Sequence, residues 1–238
     1  DAAGNNNTAA TQFNWTYDTT PTISSITPGW GEYLNAIEDN SDGTVTVVTS
    51  FVEDGQTVTL TLSGNDYTGS VSTNSTSITV SAANLQALTD GTTYDMSANV
   101  SNAGGTAATE FTTSAGNGQF IVDKTGLTVI DISAVGIANG AYKIGDVIPI
   151  HVKFSDDANI LAGTPKLNMQ VGPGASDSYW VDYTSGDGTD TFVFNYTVQS
   201  GHTSTVDTSG YLNYKSYATS LNINNSSVNV RDDAGNGT

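Results

Sequence analysis

Apolar and polar residues alternate with a period of two along most of this 238-residue chain. In "TVTVVTSF", Val45, Val47 and Phe51 share one face. In "QTVTLTLS", Val58, Leu60 and Leu62 point one way and Thr57, Thr59 and Thr61 the other. "SITV" offers Ile78 and Val80, and "TYDMSANV" offers Tyr94, Met96, Ala98 and Val100. The second half follows the same rule. "VIPIHVKF" aligns Ile148, Ile150, Val152 and Phe154, "KLNMQV" aligns Leu167, Met169 and Val171, and "TFVFNYTV" aligns Phe192, Phe194, Tyr196 and Val198. Such alternation of β-branched and aromatic residues predicts half-buried antiparallel strands. Pro149 lacks an N–H and predicts a sheet edge or a bulge. One short helical turn is expected in "SAANLQALTDG". Turn phrases such as "SGDGTD", "QSGHT" and "VGPGAS" separate the strands, a rhythm that predicts β-sandwiches. Two modules are expected, 20–118 and 119–238, joined near "FIVDKTG".

Charge narrows the chemistry. The formal net charge is -18, and all six basic residues (Lys124, Lys143, Lys153, Lys166, Lys215 and Arg231) lie in the second half. Residues 1–123 carry thirteen Asp and Glu and no Lys or Arg. Phosphate backbones and anionic lipid surfaces need cationic partners, so nucleic acid is excluded as a partner and membrane binding is not expected. No apolar run is long enough to span a bilayer, which argues against membrane insertion. Without cysteine there is no disulfide framework and no thiolate metal site. The opening residues lack the charged and apolar regions of a signal peptide, which is expected to have been removed or to lie upstream. His151 falls on an outward strand position and His202 in a turn, without metal-ligand spacing. No nucleophile elbow, phosphate loop or His-Glu-x-x-His run occurs, so an enzyme is not expected. Abundant carboxylates suit a hard cation, and calcium is the expected cofactor.

The phrase "EDNSDGTVTVVTSFVEDGQTVTLTL", followed by "ITVSAANLQALTDGTTYDMSANVSNAGG", resembles the bacterial Ig-like repeats of very large surface adhesins. "YKIGDVIPIHVKFS", "GTPKLNMQVG", "YTSGDGTDTFVFNYTVQSG" and "LNINNSSVNVRDDAGN" resemble a second Ig-like type, found in giant cell-surface and swimming-associated proteins of marine bacteria. The resemblance covers nearly the whole chain. It implies an all-β fold of two tandem Ig-like antiparallel β-sandwiches with an extra N-terminal strand in residues 1–19. It also implies an extracellular or cell-surface setting and calcium between modules. The chain departs from that pattern where "SNAGG" stands for "DAAGN" and "VDKTG" stands for "VDTTP".

Cation ligands are expected in three groups. In "EDNSDG", Glu38, Asn40 and Asp42 precede Gly43 as in the first half of a calcium loop, although Thr49 stands where an EF-hand has Glu. A solvated turn is the alternative there. Ig-like topology implies that Glu38, Asp42 and Asp90 meet at the first module's lower end. Asp123, Asp156, Asp157, Asp232 and Asp233 would then crowd the second module's upper end. Asp18, Glu53 and Asp54, with Asp1 beside them, would form a matching group at the first module's upper end. Like charges about 4 Å apart repel by about 4 kcal/mol at intermediate dielectric, so such crowding calls for a cation.

The ends of the chain look out of phase. "TAATQFNWTY" near the start echoes "TAATEFTT" at 106–113, the expected last strand of the first module. Residues 8–17 are then the last strand of a preceding module, and "RDDAGNGT" stops where the second module's last strand should begin. Either the chain is a slice of a longer repeat protein, or Thr11, Phe13, Trp15 and Tyr17 form a donor strand that completes the next molecule. Donor-strand pairing would link identical subunits head-to-tail into filaments. Trp30 in "PGWGE" and Trp180 in "SYWVDY" are candidate contacts for surface sugars or proteins, although packing or a module interface is the more common role for such residues. The functional expectation is a non-enzymatic, calcium-stiffened spacer of a bacterial adhesin, partnered by neighbouring Ig-like modules. A filament subunit and a carbohydrate-binding module are the alternatives.

Overall fold

The computed structural model describes residues 19–138, 140–173, 177–203, 212–214 and 220–238. In chain order the strands are β1 (Thr22–Pro28), β2 (Tyr33–Leu34), β3 (Gly43–Ser50), β4 (Thr57–Leu62), β5 (Asn65–Ser70), β6 (Ser75–Val80), β7 (Thr93–Tyr94), β8 (Met96–Val100) and β9 (Phe111–Thr112). They continue as β10 (Phe120–Val122), β11 (Val129–Ala134), β12 (Val147–Ala162), β13 (Lys166–Gln170), β14 (Ser178–Ser185) and β15 (Thr189–Thr197). The last are β16 (Asn213–Tyr214), β17 (Leu221–Asn222) and β18 (Asn229–Arg231). The helix α1 (Ala82–Gln86) lies within the expected helical phrase. These elements form two compact units. One contains residues 19–29, 44–80 and 94–119, and the other contains 30–43, 81–93 and the described residues from 120 onward.

The first unit is a sandwich of a β1-β3-β6 sheet and a β5-β4-β8-β9 sheet. In chain order this is the A-B-E and C′-C-F-G arrangement of an Ig-like fold. The two-residue period fills its interior. Ile23, Ile26, Val45, Val47, Ile78 and Val80 are buried from one sheet, and Val58, Leu60, Leu62, Met96, Ala98 and Val100 from the other. Phe51 breaks the expected pattern. β3 ends at Ser50, and Phe51 takes φ 59° and turns outward to 61% exposure. Thr49 is buried in the inward position before it.

In the second unit one sheet runs β11-β12-β15-β14-β13-β16, with β17 beside β13 and β18 beside the far end of β12. β14 pairs with β13 through its first half and with β15 through its second, so it carries the sheet round the core. β12 shifts register between Lys153 and Ala158, which frees Asn159–Ala162 to pair with β18. Ile148, Ile150, Val152, Phe154, Leu167, Met169, Phe192, Phe194 and Tyr196 form the core that the alternation predicts. Pro149 lies inside β12 rather than at a sheet edge, paired with Asn195 of β15. The last β11 partner is Ile150, so the missing N–H of Pro149 falls just beyond that ladder.

Gly118 tests how tightly the first unit closes. Its φ is 81°, and a Cβ there would lie 2.0 Å from the Ile26 carbonyl oxygen. Gly118→Ala is expected to destabilise the chain by about 2 kcal/mol or more, measured by urea unfolding.

Candidate cation site at the linker

The strand β10 and the three residues after it are held in place because their backbone groups find partners on both sides. β10 pairs in parallel with β2, with Ile121 opposite Tyr33 and Val122 opposite Leu34. Asp123 N–H donates to the Leu34 carbonyl at 3.0 Å, and Gly91 N–H donates to the Val122 carbonyl at 2.8 Å. Phe120, Val122 and Leu34 are buried, as an alternating strand requires. Asp90 then clips the end of the run. Its two carboxylate oxygens accept from Lys124 N–H and from the Thr125 hydroxyl, both at 2.7 Å. These bonds, led by the one from Thr125, hold the Asp90 carboxyl below its usual pKa.

The closing turn of the second unit mirrors one in the first. In "SNAGGT", Asn102 N–H donates to the Thr106 carbonyl and Gly105 N–H to the Asn102 carbonyl, each at 3.0 Å. Asn102 Oδ1 accepts Thr106 N–H at 2.9 Å. In "RDDAGN", Asp232 N–H donates to the Asn236 carbonyl at 3.0 Å, Gly235 N–H donates to the Asp232 carbonyl at 3.1 Å, and Asp232 Oδ1 accepts Asn236 N–H at 2.7 Å. Gly105 and Gly235 both adopt the left-handed conformation this turn needs, at φ 85° and 87°. Asn102 and Asp232 are each only 4% exposed.

The second side-chain atom separates the two turns. Asn102 Nδ2 donates to the Thr19 carbonyl at 3.1 Å, which ties the turn to the chain entering its unit. Asp232 Oδ2 carries no hydrogen and has no hydrogen-bond partner among the described residues. An amide satisfies a buried acceptor, whereas a carboxylate oxygen needs a proton, a water or a cation. Burial raises the Asp232 pKa, opposed by its bonds from Asn236, and Asp156 raises it further. Asp123 is also raised, first by burial and then by Asp232, Asp90 and Asp156. The Tyr33 phenol is raised by burial and by Asp233, Glu32, Asp156 and Asp123. Three acidic side chains, Asp123, Asp156 and Asp232, thus share one electrostatic neighbourhood around an unpartnered buried oxygen. Carboxylate oxygens are hard donors of the type calcium takes, together with carbonyl and water oxygens.

The other expected ligands have separate tasks. Glu38 Oε2 accepts Asn35 N–H at 3.2 Å, and Asn40 Oδ1 accepts from Gln86 at 3.1 Å. Asp42 Oδ1 accepts Ala82 N–H at 2.9 Å, at the start of α1. Glu38, Asn40 and Asp42 thus each hold a hydrogen-bonded partner, around a turn whose buried carboxylate is Asp39, 3.1 Å from the Lys124 ammonium. Glu53 accepts Ala103 N–H and Asp54 accepts Thr73 N–H, so each pins a loop of the first unit. Asp156 accepts Asp157 N–H, Asp157 is exposed, and Asp233 accepts from Asn159 at 2.7 Å. Asp1, Asp18, Thr11, Phe13, Trp15 and Tyr17 lie outside the described residues. Among the described residues, no three His, Cys, Asp or Glu side chains are grouped closely enough to hold a metal by themselves. Backbone or amide oxygens and waters would have to complete any shell.

Trp30 sits in a packed setting. It is half-buried, with its ring edge-on to Phe120 at 5.1 Å, and a Cβ on Gly43 would meet it at 2.6 Å. Trp180 is 43% exposed on β14, opposite Asn168. Asn35 and Asn236 escaped the sequence reasoning, although they knit the linker to the closing turn. Asn35 donates to the Ala234 carbonyl at 2.8 Å, and Asn236 Nδ2 donates to the Asp123 carbonyl at 2.9 Å. Their only signal was their place beside turns.

No protein-family model and no curated protein matches the chain. Solved structures similar to it include ones from bacterial ice-binding adhesins. A structure from a 1.5-MDa bacterial ice-binding adhesin, solved to explain retention at the host cell surface, shares 22% identity over 76% of this chain and 55% of its own, with a TM-score of 0.47. A Ca2+-stabilized adhesin that helps an Antarctic bacterium bind ice shares 18% over 83% of this chain and 47% of its own, with a TM-score of 0.38. An immunoglobulin-like domain of the M. primoryensis ice-binding adhesin shares 27% over 44% of this chain and 96% of its own, with a TM-score of 0.31. The chain spans about half the length of the first two.

The titration of these carboxyls has a definite sign. A carboxyl raised on folding costs stability above its folded pKa, and that cost is relieved as pH falls toward the usual 3.8. Asp90 runs the other way, because its contribution is full above 3.8 and is lost as pH falls through its lowered folded value. In chelator, the melting temperature is expected to rise as pH falls from neutral toward the carboxylate range. Asp232→Asn should melt higher than wild type at neutral pH and rise less on acidification, read by calorimetry. Asn102→Asp should do the reverse in the first unit, lowering stability by about 1–3 kcal/mol at neutral pH.

Proposed function

We propose that the chain is an extracellular, non-enzymatic spacer segment of a bacterial surface adhesin, with calcium bound at Asp232 stiffening the linker. The observation that supports this most is the contrast between two like turns. One closes with an amide that satisfies itself, and the other closes with a buried carboxylate oxygen that lacks a donor. Asp232, Asp123 and Asp156 would supply the charge, and backbone oxygens and waters the remaining ligands. The strongly acidic composition and the sandwich architecture suit a solvated surface stalk. A second reading is a glycan-binding face on β13 and β14. It is supported by exposed Trp180 beside the Lys166–Asp182 ion pair and by buried Asn168 Oδ1, which lacks a partner among the described residues.

Titration calorimetry is expected to show calcium uptake with a Kd of about 10⁻⁴ to 10⁻³ M, as in other extracellular modules, together with a rise in melting temperature. Asp232→Asn should abolish both. An unchanged melting curve on adding calcium to chelated protein would count against the calcium reading. A glycan-array signal lost in Trp180→Ala would favour the second.

A further inference from the structure

The helix α1 has five residues and no basic residue in its last turn. The carbonyls at and just past its end form the negative end of the helix dipole, and among them Leu85 also accepts Leu88 N–H at 3.2 Å. A residue distant in sequence answers them. The Lys124 ammonium lies 3.0 Å from the Gln86 carbonyl, 3.1 Å from the Leu88 carbonyl and 3.4 Å from the Leu85 carbonyl. Asp39 Oδ2 approaches it at 3.1 Å from the Glu38–Asn40 turn. Four oxygens from two separate segments therefore surround one positive charge. The Lys124 side chain is only 19% exposed and that of Asp39 only 8%.

We propose that Lys124 is a tethered cation that does the work of a bound metal ion. Its ammonium fills an all-oxygen shell and fastens residues 120–125 to the 36–40 and 82–88 segments without calcium. Hard metal ions take the same kind of shell, but calcium binds oxygen at 2.3–2.6 Å. The distances here are those of N–H···O bonds, so the shell is sized for an ammonium. Lys124 is also fixed at its backbone, where its N–H donates to Asp90 at 2.7 Å. Its neighbour Asp123 belongs to the acidic group around Asp232. Two adjacent residues thus meet two acceptor-rich groups, one with a built-in cation and one without. The inference goes beyond the spacer reading and holds whether or not calcium binds at Asp232.

Hydrogen exchange of the whole chain, read in peptides covering residues 82–90, tests it. Wild-type exchange there should be the same in calcium and in chelator. Lys124→Met removes the charge but keeps the bulk, and should speed that exchange by about tenfold or more, as expected for loss of charge-assisted hydrogen bonds. Lys124→Ala should do the same, and ethylammonium should slow it again, with sodium chloride at equal ionic strength as the control. The Met variant should not respond, because its side chain still occupies the shell. The proposal is overturned if chelator speeds wild-type exchange in 82–90, if Lys124→Met leaves it unchanged, or if ethylammonium fails to slow Lys124→Ala. Should both Lys124 variants fail to fold, Asp39→Asn should give a smaller rise in the same peptides, and no rise would overturn the proposal. Asp232→Asn separates this from the calcium reading, since it should leave exchange in 82–90 unchanged.

Discussion

Around residues 120–125 of the second unit, each buried oxygen acceptor must find a hydrogen or a positive charge. The helix end contributes three carbonyls, its neighbouring turn a buried Asp39, and the closing turn a buried Asp232. Any of these left without a positive or hydrogen-bearing partner would cost one to several kcal/mol, about the effect of a severe point mutation. With a net charge of -18, the chain has few cations to spend on the task.

Three ways of meeting a buried acceptor are visible, one in the first unit and two in the second. Asn102 uses an amide, which offers an acceptor to its own turn and a donor to the Thr19 carbonyl. Lys124 uses an ammonium, which supplies both hydrogens and charge to a shell of four oxygens. Asp232 uses a carboxylate, which closes its turn equally well yet leaves one oxygen without a hydrogen-bond partner among the described residues. The same backbone turn therefore satisfies its buried side chain fully or leaves one acceptor over through the change of one side-chain atom.

The strands themselves were legible, because a two-residue period with one buried face leaves a strong imprint at Val58, Leu60 and Leu62 or at Phe192, Phe194 and Tyr196. Phe51 was not, because nothing local announces the positive φ that ends β3 and turns the ring outward. The acidic residues were visible as a population, but their tasks were not. A carboxylate that clips a loop N–H and one that keeps a buried oxygen without a hydrogen-bond partner look alike until their neighbours are known, as Asp54 and Asp232 show. Lys124 was marked in the sequence as a departure from the repeat pattern and as the first basic residue of the chain. Its partners lie 36 to 85 positions away, beyond the reach of local reasoning.

The most direct test of this account is an anomalous difference map from crystals of the chain grown in calcium. A peak within about 2.3–2.6 Å of Asp232 Oδ2, with no peak among the carbonyls of Leu85, Gln86 and Leu88, is the predicted result. A map with no peak at Asp232, or with a calcium ion in the place of the Lys124 ammonium, would contradict it.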